Sequence, residues 1–524
     1  MKLITVQDAV QLVPDEATLL IVGAGDGLVV PQLFIDQLAQ YFVETGRPRE
    51  LTTVRVVGIG DWADRGFSQL AIPGLMKRTI GSNIGNEPEL GEMVRRNEIE
   101  AYSLPQGVLS QLIRDIGGGR PGAITRTGLH TFVDPRQSGG KQNDITTCDI
   151  VEVVTLKNEE YLFYHAFPID VAVIRGTTAD EDGNLTMDGE VFEGEMLASA
   201  IAARNSGGIV IAQVKYLAAR GSLAQRMVRV PGALIDYVYV DAAQRQTYAT
   251  ENSPYYSGAL RRPPTVAEYV GLDRRKVIAR RALLEFRAGD IVNLGFGISM
   301  GIGAIAFEEG IADRLCLTVE VGVFGGVPMS GEDGGAGFNY QAIIGQPSMF
   351  DLYDGGGLDI ASLSFAEVDA VGNVNVHAFA GRLRGPGGFP NISSKTKRLC
   401  FVGSLTSGGL HTEVVDGSIQ ISREGDVQKF VPEVNEITFN GRVARERGQQ
   451  VLFITERAVF ALTDRGVTLT EIAPGLDIER DVIEHMGFRP AIAQEVRSMD
   501  PRLFMPEQMG LVADLGKSDR IGRG

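Results

Sequence analysis

Apolar and polar positions follow two rhythms along the chain, and the alternation between them predicts the elements. Thr18 to Val22 is a buried-type strand that runs into Gly23-Ala24-Gly25-Asp26-Gly27. A helix from near Pro31 then carries Leu33, Phe34, Leu38 and Tyr41 on one face. Leu51 to Val57 reads as the next strand, ending in Gly58-Ile59-Gly60. Ile99 to Ser103, a turn at Leu104-Pro105-Gln106-Gly107 and a helix to Ile116 follow; Gly117 to Gly122, rich in glycine with Pro121, stops that helix. Val171 to Ile174 and Gly208 to Val214 are further strands. Strands alternating with helices predict an α/β fold with a mainly parallel sheet.

Between Thr250 and Pro264 the periodicity is lost, which marks a boundary. The expectation is an N-terminal domain over 1–255, a linker over 256–270 and a C-terminal domain over 271–524. The second half begins afresh with a helix over Lys276 to Phe286, a strand over Asp290 to Leu294, the turn Gly295-Phe296-Gly297, a helix, and a strand ending on Glu320. One echo links the halves. Val171-Ala-Val-Ile with Thr178 to Asn184 resembles Ile360-Ala-Ser-Leu with Glu367 to Asn373: a strand, an acidic turn and a Gly-Asn pair entering another strand. The residues from Gly516 to Gly524 read as a polar, frayed end.

Composition narrows the function classes. The 524 residues exceed what one core serves, so two or three domains are the prior. A net charge of −16 disfavours nucleic acid and anionic membrane as partners. Three distant cysteines, Cys148, Cys316 and Cys400, argue for a reducing compartment, and five scattered histidines give a metal site little support. No signal-peptide pattern or membrane-length apolar run is present, so a cytoplasmic chain is expected.

Four stretches carry candidate chemistry. In Leu317 to Pro328 a short strand ends on Glu320 and a glycine-rich turn follows; a carboxylate at the C-terminal end of such a strand faces the ligand crevice of an open α/β sheet. The alternative is a solvated surface glutamate. Gly295-Phe-Gly297-Ile-Ser-Met-Gly301 follows a strand and opens a helix. It suggests a dinucleotide fold with Glu320 on the ribose, but its spacing is G-x-G-x-x-x-G rather than G-x-G-x-x-G. Gln346 to Asp359 reads as a tight acidic turn with three glycines. Gly385-Pro-Gly387-Gly388-Phe-Pro-Asn391-Ile392 reads as a glycine loop before a strand at Arg398 to Val402, able to hold an oxyanion or phosphate on its amides. Arg382, Arg384, Lys395, Lys397 and Arg398 make its surroundings basic, or simply a solvated charge cluster.

Taken in order with Met76 to Ser82, Glu100 to Gly107, Gly128 to Arg136, Arg175 to Asn184, Val292 to Ile298 and Phe350 to Asp359, these stretches resemble the family I CoA-transferases of the fused single-chain type, over nearly the whole chain. The resemblance implies two related open α/β domains, mainly parallel sheets with helices on both faces, with the active site between them. It implies Glu320 as the catalytic glutamate, Gln106, Gly387 and Gly388 as oxyanion and substrate residues, and Asn293, Gly295, Gly297, Gly385, Asn391 and Lys395 as the CoA-binding set. Ser299, Val321, Pro386 and Pro390 depart from the family pattern. The resemblance further implies coenzyme A as substrate and covalent intermediate with no tightly bound cofactor, acyl-CoA and small carboxylic acids as partners, and a homo-oligomer, dimer or tetramer.

That chemistry suits these residues. A carboxylate is already ionised at neutral pH and needs no general base. It would attack the thioester, form a mixed anhydride, and take up the released CoA as a glutamyl thioester. Three other readings stay open on the sequence: an acyl-CoA hydrolase on the same scaffold, separated by acceptor dependence; a CoA-ester-binding protein without turnover, separated by assay; and a nicotinamide oxidoreductase, separated by a dinucleotide titration.

Overall fold

A computed structural model describes residues 1–262, 271–329 and 331–515. The linker expected over 256–270 therefore lies partly, and the frayed end over 516–524 wholly, outside the described residues. The chain forms two compact units. The first takes Met1–Arg262 together with Glu320–Asp351 and Ala380–Asn391; of the described residues, 271–319, 352–379 and 392–515 form the second.

The first unit is built on a parallel sheet of β1 (Thr18–Ile21), β2 (Leu51–Val54), β3 (Met76–Gly81), β4 (Glu100–Ser103), β5 (Val171–Asp180), β6 (Ile209–Ala218) and β7 (Tyr237–Val240). Their order is β7-β6-β5-β1-β2-β3-β4. Alternate side chains serve opposite faces of a strand. Leu19, Ile21, Val171 and Val173 enter the core under α1 (Gln32–Thr45), while the intervening Leu20, Ala172 and Ile174 are equally buried. Burial on both faces explains why these strands read as unbroken apolar runs. Two further helices, α2 (Gln106–Gly117) and α3 (Met196–Asn205), pack on each other.

The second unit repeats the plan with α4 (Arg274–Leu283), β8 (Ile291–Leu294), α5 (Met300–Glu308), β9 (Cys316–Val319), β10 (Ile360–Ser364), β11 (Arg398–Val402) and β12 (Gln450–Ile454). The parallel order is β12-β11-β10-β8-β9, and β13 (Ala458–Thr463), β14 (Gly466–Ile472) and β15 (Ala491–Ser498) extend it beyond β12. In each sheet the strand order reverses once, between β1 and β5 in the first and between β8 and β10 in the second. Such reversals open the crevice in which α/β sheets take ligands.

Two expectations change. The stretch from Gln346, expected to be a turn, is a helix, α6 (Gln346–Asp354), with Met349, Phe350 and Tyr353 buried; its glycines come only afterwards and end it. The glycine loop at 385–388 is followed not directly by a strand but by a helix, α7 (Phe389–Lys395). Pro390 is no obstacle there, because the first turn of a helix has no use for its missing N–H.

Candidate active site

Strand β9 closes at Val319, so Glu320 is the first residue past the strand end, and it is half-buried. The chain then turns at Gly322, whose φ is 111°. A Cβ at Gly322 would stand 1.9 Å from the Ile344 carbonyl oxygen, so no other residue fits. Ile344 N–H donates to Gly322 O at 2.8 Å, and the antiparallel pairs Val323↔Ile343 and Phe324↔Ala342 hold the hairpin that follows. The glutamate is thus anchored by a strand before it and a locked hairpin after it.

In the same unit the structure brings Gln106 onto the 385–388 loop. Gln106 N–H donates to Gly387 O at 3.0 Å, and Gln106 Oε1 lies 3.8 Å from where a Gly387 side chain would begin. Gly387 adopts φ 53° and donates its own N–H to Ser82 O at 2.9 Å. That bond commits the Gly387 amide. Gly385 packs on Ser82 and Asn83, where a Cβ would meet the Ser82 oxygen at 2.5 Å. Asn391, expected among the CoA-binding residues, is fully buried, and its Oδ1 accepts the Gly107 N–H at 3.0 Å at the start of α2. It ties the loop to that helix.

The remaining predicted residues lie in the second unit. Asn293, fully buried in β8, donates to Tyr353 Oη at 3.3 Å, and Tyr353 Oη–H donates to Thr318 Oγ1 at 2.7 Å. Thr318 in turn donates to Val292 O at 2.8 Å. This chain of bonds fixes β9 two residues before Glu320. Gly295 N–H donates to Ser362 O at 2.8 Å, and Gly297, with φ 90°, leads into α5 beside the exposed ring of Phe296. Lys395 is exposed at the end of α7.

The basic surroundings divide. Lys397 pairs with Asp359 at 2.9 Å and Arg398 with Asp290 at 2.6 Å, so both serve the second sheet. Arg384, in the first unit, lies over the Trp62 ring at 5.2 Å, and burial followed by Arg382 lowers its pKa. Among the described residues no cluster of His, Cys, Asp or Glu is placed to hold a metal ion, and no helix is long and apolar enough to cross a membrane.

Sequence reading missed Glu195 and Gln346. Both are buried, and each leaves side-chain polar atoms without a partner. A glutamate just before an apolar helix looks like an ordinary acidic helix start, and nothing local reveals its burial.

Comparison with known proteins places the chain. The coenzyme A transferase family model matches residues 3–241. An acetate CoA-transferase of Escherichia coli is 45% identical over 510 residues, spanning 97% of this chain and 96% of the relative. A caffeate CoA-transferase of Acetobacterium woodii is 43% identical over 525 residues, spanning 98% of this chain and all of that one (100%). An acyl-CoA transferase of Escherichia coli, solved as its thioester complex with CoA, matches with a TM-score of 0.93 at 44% identity over 97% of each chain. The chain belongs to the CoA-transferase family, in its fused single-chain form, and is a CoA-transferase.

Proposed function

We propose that the protein moves CoA between a short-chain acyl-CoA and a free carboxylate by double displacement through a glutamyl-CoA thioester on Glu320. The observation that carries this reading is the placement of Glu320: a half-buried carboxylate at the end of a parallel strand, next to the strand-order reversal and held by a glycine-locked hairpin. The solved thioester complex of a relative supports it.

In the first step a Glu320 oxygen attacks the thioester carbonyl, the C–S bond breaks, and CoA leaves as thiolate from a mixed anhydride. The thiolate then attacks the glutamyl carbonyl, releasing the first acid and leaving CoA on Glu320. The acceptor carboxylate reverses both steps. Each addition places charge on a carbonyl oxygen, and the Gly388 amide is the donor for it. Losing a donor of this kind costs about 3–4 kcal/mol of transition-state stabilisation. Gln106 offers a neutral carboxamide to the acid. Asn293, Gly295, Gly297, Gly385 and Lys395 are the proposed surroundings of CoA. The acids in play are acetate, propionate, butyrate or acetoacetate, the enzyme is a homo-oligomer, and its place is the cytoplasm.

The test is intact and peptide mass after incubation with acetyl-CoA and no acceptor acid. A CoA adduct on the peptide holding Glu320, absent in Glu320→Ala, is the expected result. Steady release of CoA with no adduct would replace this reading with a hydrolase.

A further inference from the structure

Among the buried polar side chains of the first unit that lack the hydrogen bonds burial demands, three lie on helix α6 or beside it. Gln106, 2% exposed, has no partner for Nε2; Gln346, 0% exposed, has none for Nε2 or Oε1; Glu195, 3% exposed, has none for Oε2. Buried polar groups are usually paired, so three gathered around one helix need a cause. A cavity of the same unit provides a contrast. It holds about 410 Å³ beside β5 and β6, yet polar groups of its lining already have partners: Gln213 bonds Gln244 at 2.9 Å, Tyr248 bonds Gln32 at 2.6 Å, and Arg175 bonds Glu190 behind it at 2.9 Å.

Helix α6 joins the three. Gln346 N–H donates to Gly194 O at 3.1 Å, which sets the start of α6 against the residue before Glu195. One turn on, the Phe350 ring lies against Gly107, 2.3 Å from where a Cβ would stand, which sets the same helix against the start of α2 and Gln106. Glu195 stands at the N-cap of α3 but makes no capping bond with its side chain. Helix capping therefore does not account for it.

Resting on the transfer reading above, we propose that Glu195 and Gln346, beside Gln106, form the subsite for the free carboxylic acid, with the Glu195 carboxyl donating a hydrogen bond to the acid's carboxylate. The charged groups on neighbouring elements are engaged elsewhere. Arg114 of α2 pairs with Asp351 of α6, Arg175 of β5 with Glu190, and Arg229 with Glu193, while Asp180 accepts from Asn184 and Lys215 of β6 donates to Gln244 O. With no cation beside it, burial pushes the Glu195 carboxyl up to about 8, so it keeps its proton at neutral pH. A neutral donor has a chemical advantage here. The bound acid must next act as a nucleophile, and an arginine would stabilise its carboxylate more in the ground state than in the transition state.

The sign of the pH dependence follows. Below about pH 8 Glu195 donates; above it the carboxyl ionises, repels the substrate carboxylate, and the KM for the acid rises by about tenfold per pH unit. The KM for acyl-CoA stays level. Glu195→Gln keeps a neutral donor and removes the rise, whereas Glu195→Ala raises the acid KM by about tenfold at neutral pH.

The experiment measures KM for propionate and for acetyl-CoA from about pH 6.5 to 9.5 in the full-length wild type, Glu195→Gln and Glu195→Ala, with the CoA adduct followed by mass in parallel. An alkaline rise in propionate KM alone, abolished in Glu195→Gln, supports the proposal. Parallel rises in wild type and Glu195→Gln overturn it, as does an unchanged propionate KM in Glu195→Ala. Should Glu195→Ala not fold, wild type against Glu195→Gln decides. An adduct in every variant with unaltered acid KM removes the role of Glu195 alone. No adduct on wild-type Glu320 removes the transfer reading and this subsite with it.

Discussion

The two parallel sheets share a register as well as a strand order. Thr18 N–H donates to the Asp170 carboxylate at 2.7 Å, and Ile291 N–H donates to the Asp359 carboxylate at 3.0 Å. Thr18 pairs with Thr52 as Ile291 pairs with Cys316. The turns after β5 and β10 also match. Asn184 donates to Asp180 through its backbone at 2.9 Å and its side chain at 3.0 Å; Asn373 does the same to Asp369 at 2.9 and 2.8 Å. Each asparagine then accepts a glycine N–H at 3.0 Å, from Gly232 and Gly441. On this register Leu20, Val54 and Val56 of the first sheet answer to Asn293, Thr318 and Glu320 of the second. The first three are buried and apolar; the second three are two hydrogen-bonded polar groups and a carboxylate. The repeated scaffold is therefore separable from the polar residues, which only the second sheet carries at these positions.

The comparison breaks most severely at Arg55, next to Val56. Its guanidinium donates to Glu87 at 2.7 Å and to Thr79 at 2.7 Å, all fully buried. Arg55→Ala leaves the buried Glu87 carboxylate without its counter-charge, held only by the Ile59 N–H, and is expected to cost about 3–5 kcal/mol in denaturant unfolding. A smaller effect, on catalysis, comes from writing the first sheet's residue into the second. Asn293→Leu removes the bonds from Asn293 to Tyr353 Oη and the Thr318 carbonyl just before Glu320 and is expected to lower kcat/KM about 100-fold, since small misplacements of a reacting group have effects of that size. An unchanged kcat/KM would mean that the polar strand end is not what the second sheet adds.

The matched turns give the smallest effect and the finest comparison. Asp180→Ala and Asp369→Ala should each destabilise by about 2 kcal/mol, each leaving N–H donors unpaired. Burial tends to raise the pKa of Asp180, but the bonds from Asn184 and Asp182 outweigh it, leaving the carboxyl below its ordinary value. Its contribution is therefore whole above about pH 4 and is lost as pH falls through the lowered value. Asp180→Asn should flatten that acid limb of a stability-against-pH curve.

The strands were legible because burial on two faces writes itself as apolar runs, as in Thr18 to Val22 and Val171 to Ile174. The strand end at Glu320 and the turn after it were legible because a charged residue interrupts such a run just before glycines. Helix α6 was not, because Asp354 and three glycines at its end outweighed the apolar spacing of Met349, Phe350 and Tyr353. Neither was the commitment of the Gly387 amide to Ser82, a partner 305 residues away in the chain. Glu195 and Gln346 were hidden for a related reason: what marks them is missing partners in three dimensions, and no local pattern encodes that.

The interleaving of the first unit has a consequence for synthesis. Its sheet is complete by Val240, but the segments that pack Phe350 on Gly107 and place Asn391 on α2 lie in 320–351 and 380–391. At about 5–20 residues per second, several seconds of translation separate the sheet from its last pieces. During that interval the start of α2 stands uncovered on the nascent chain. Release of a product truncated at residue 262 would make that exposure permanent.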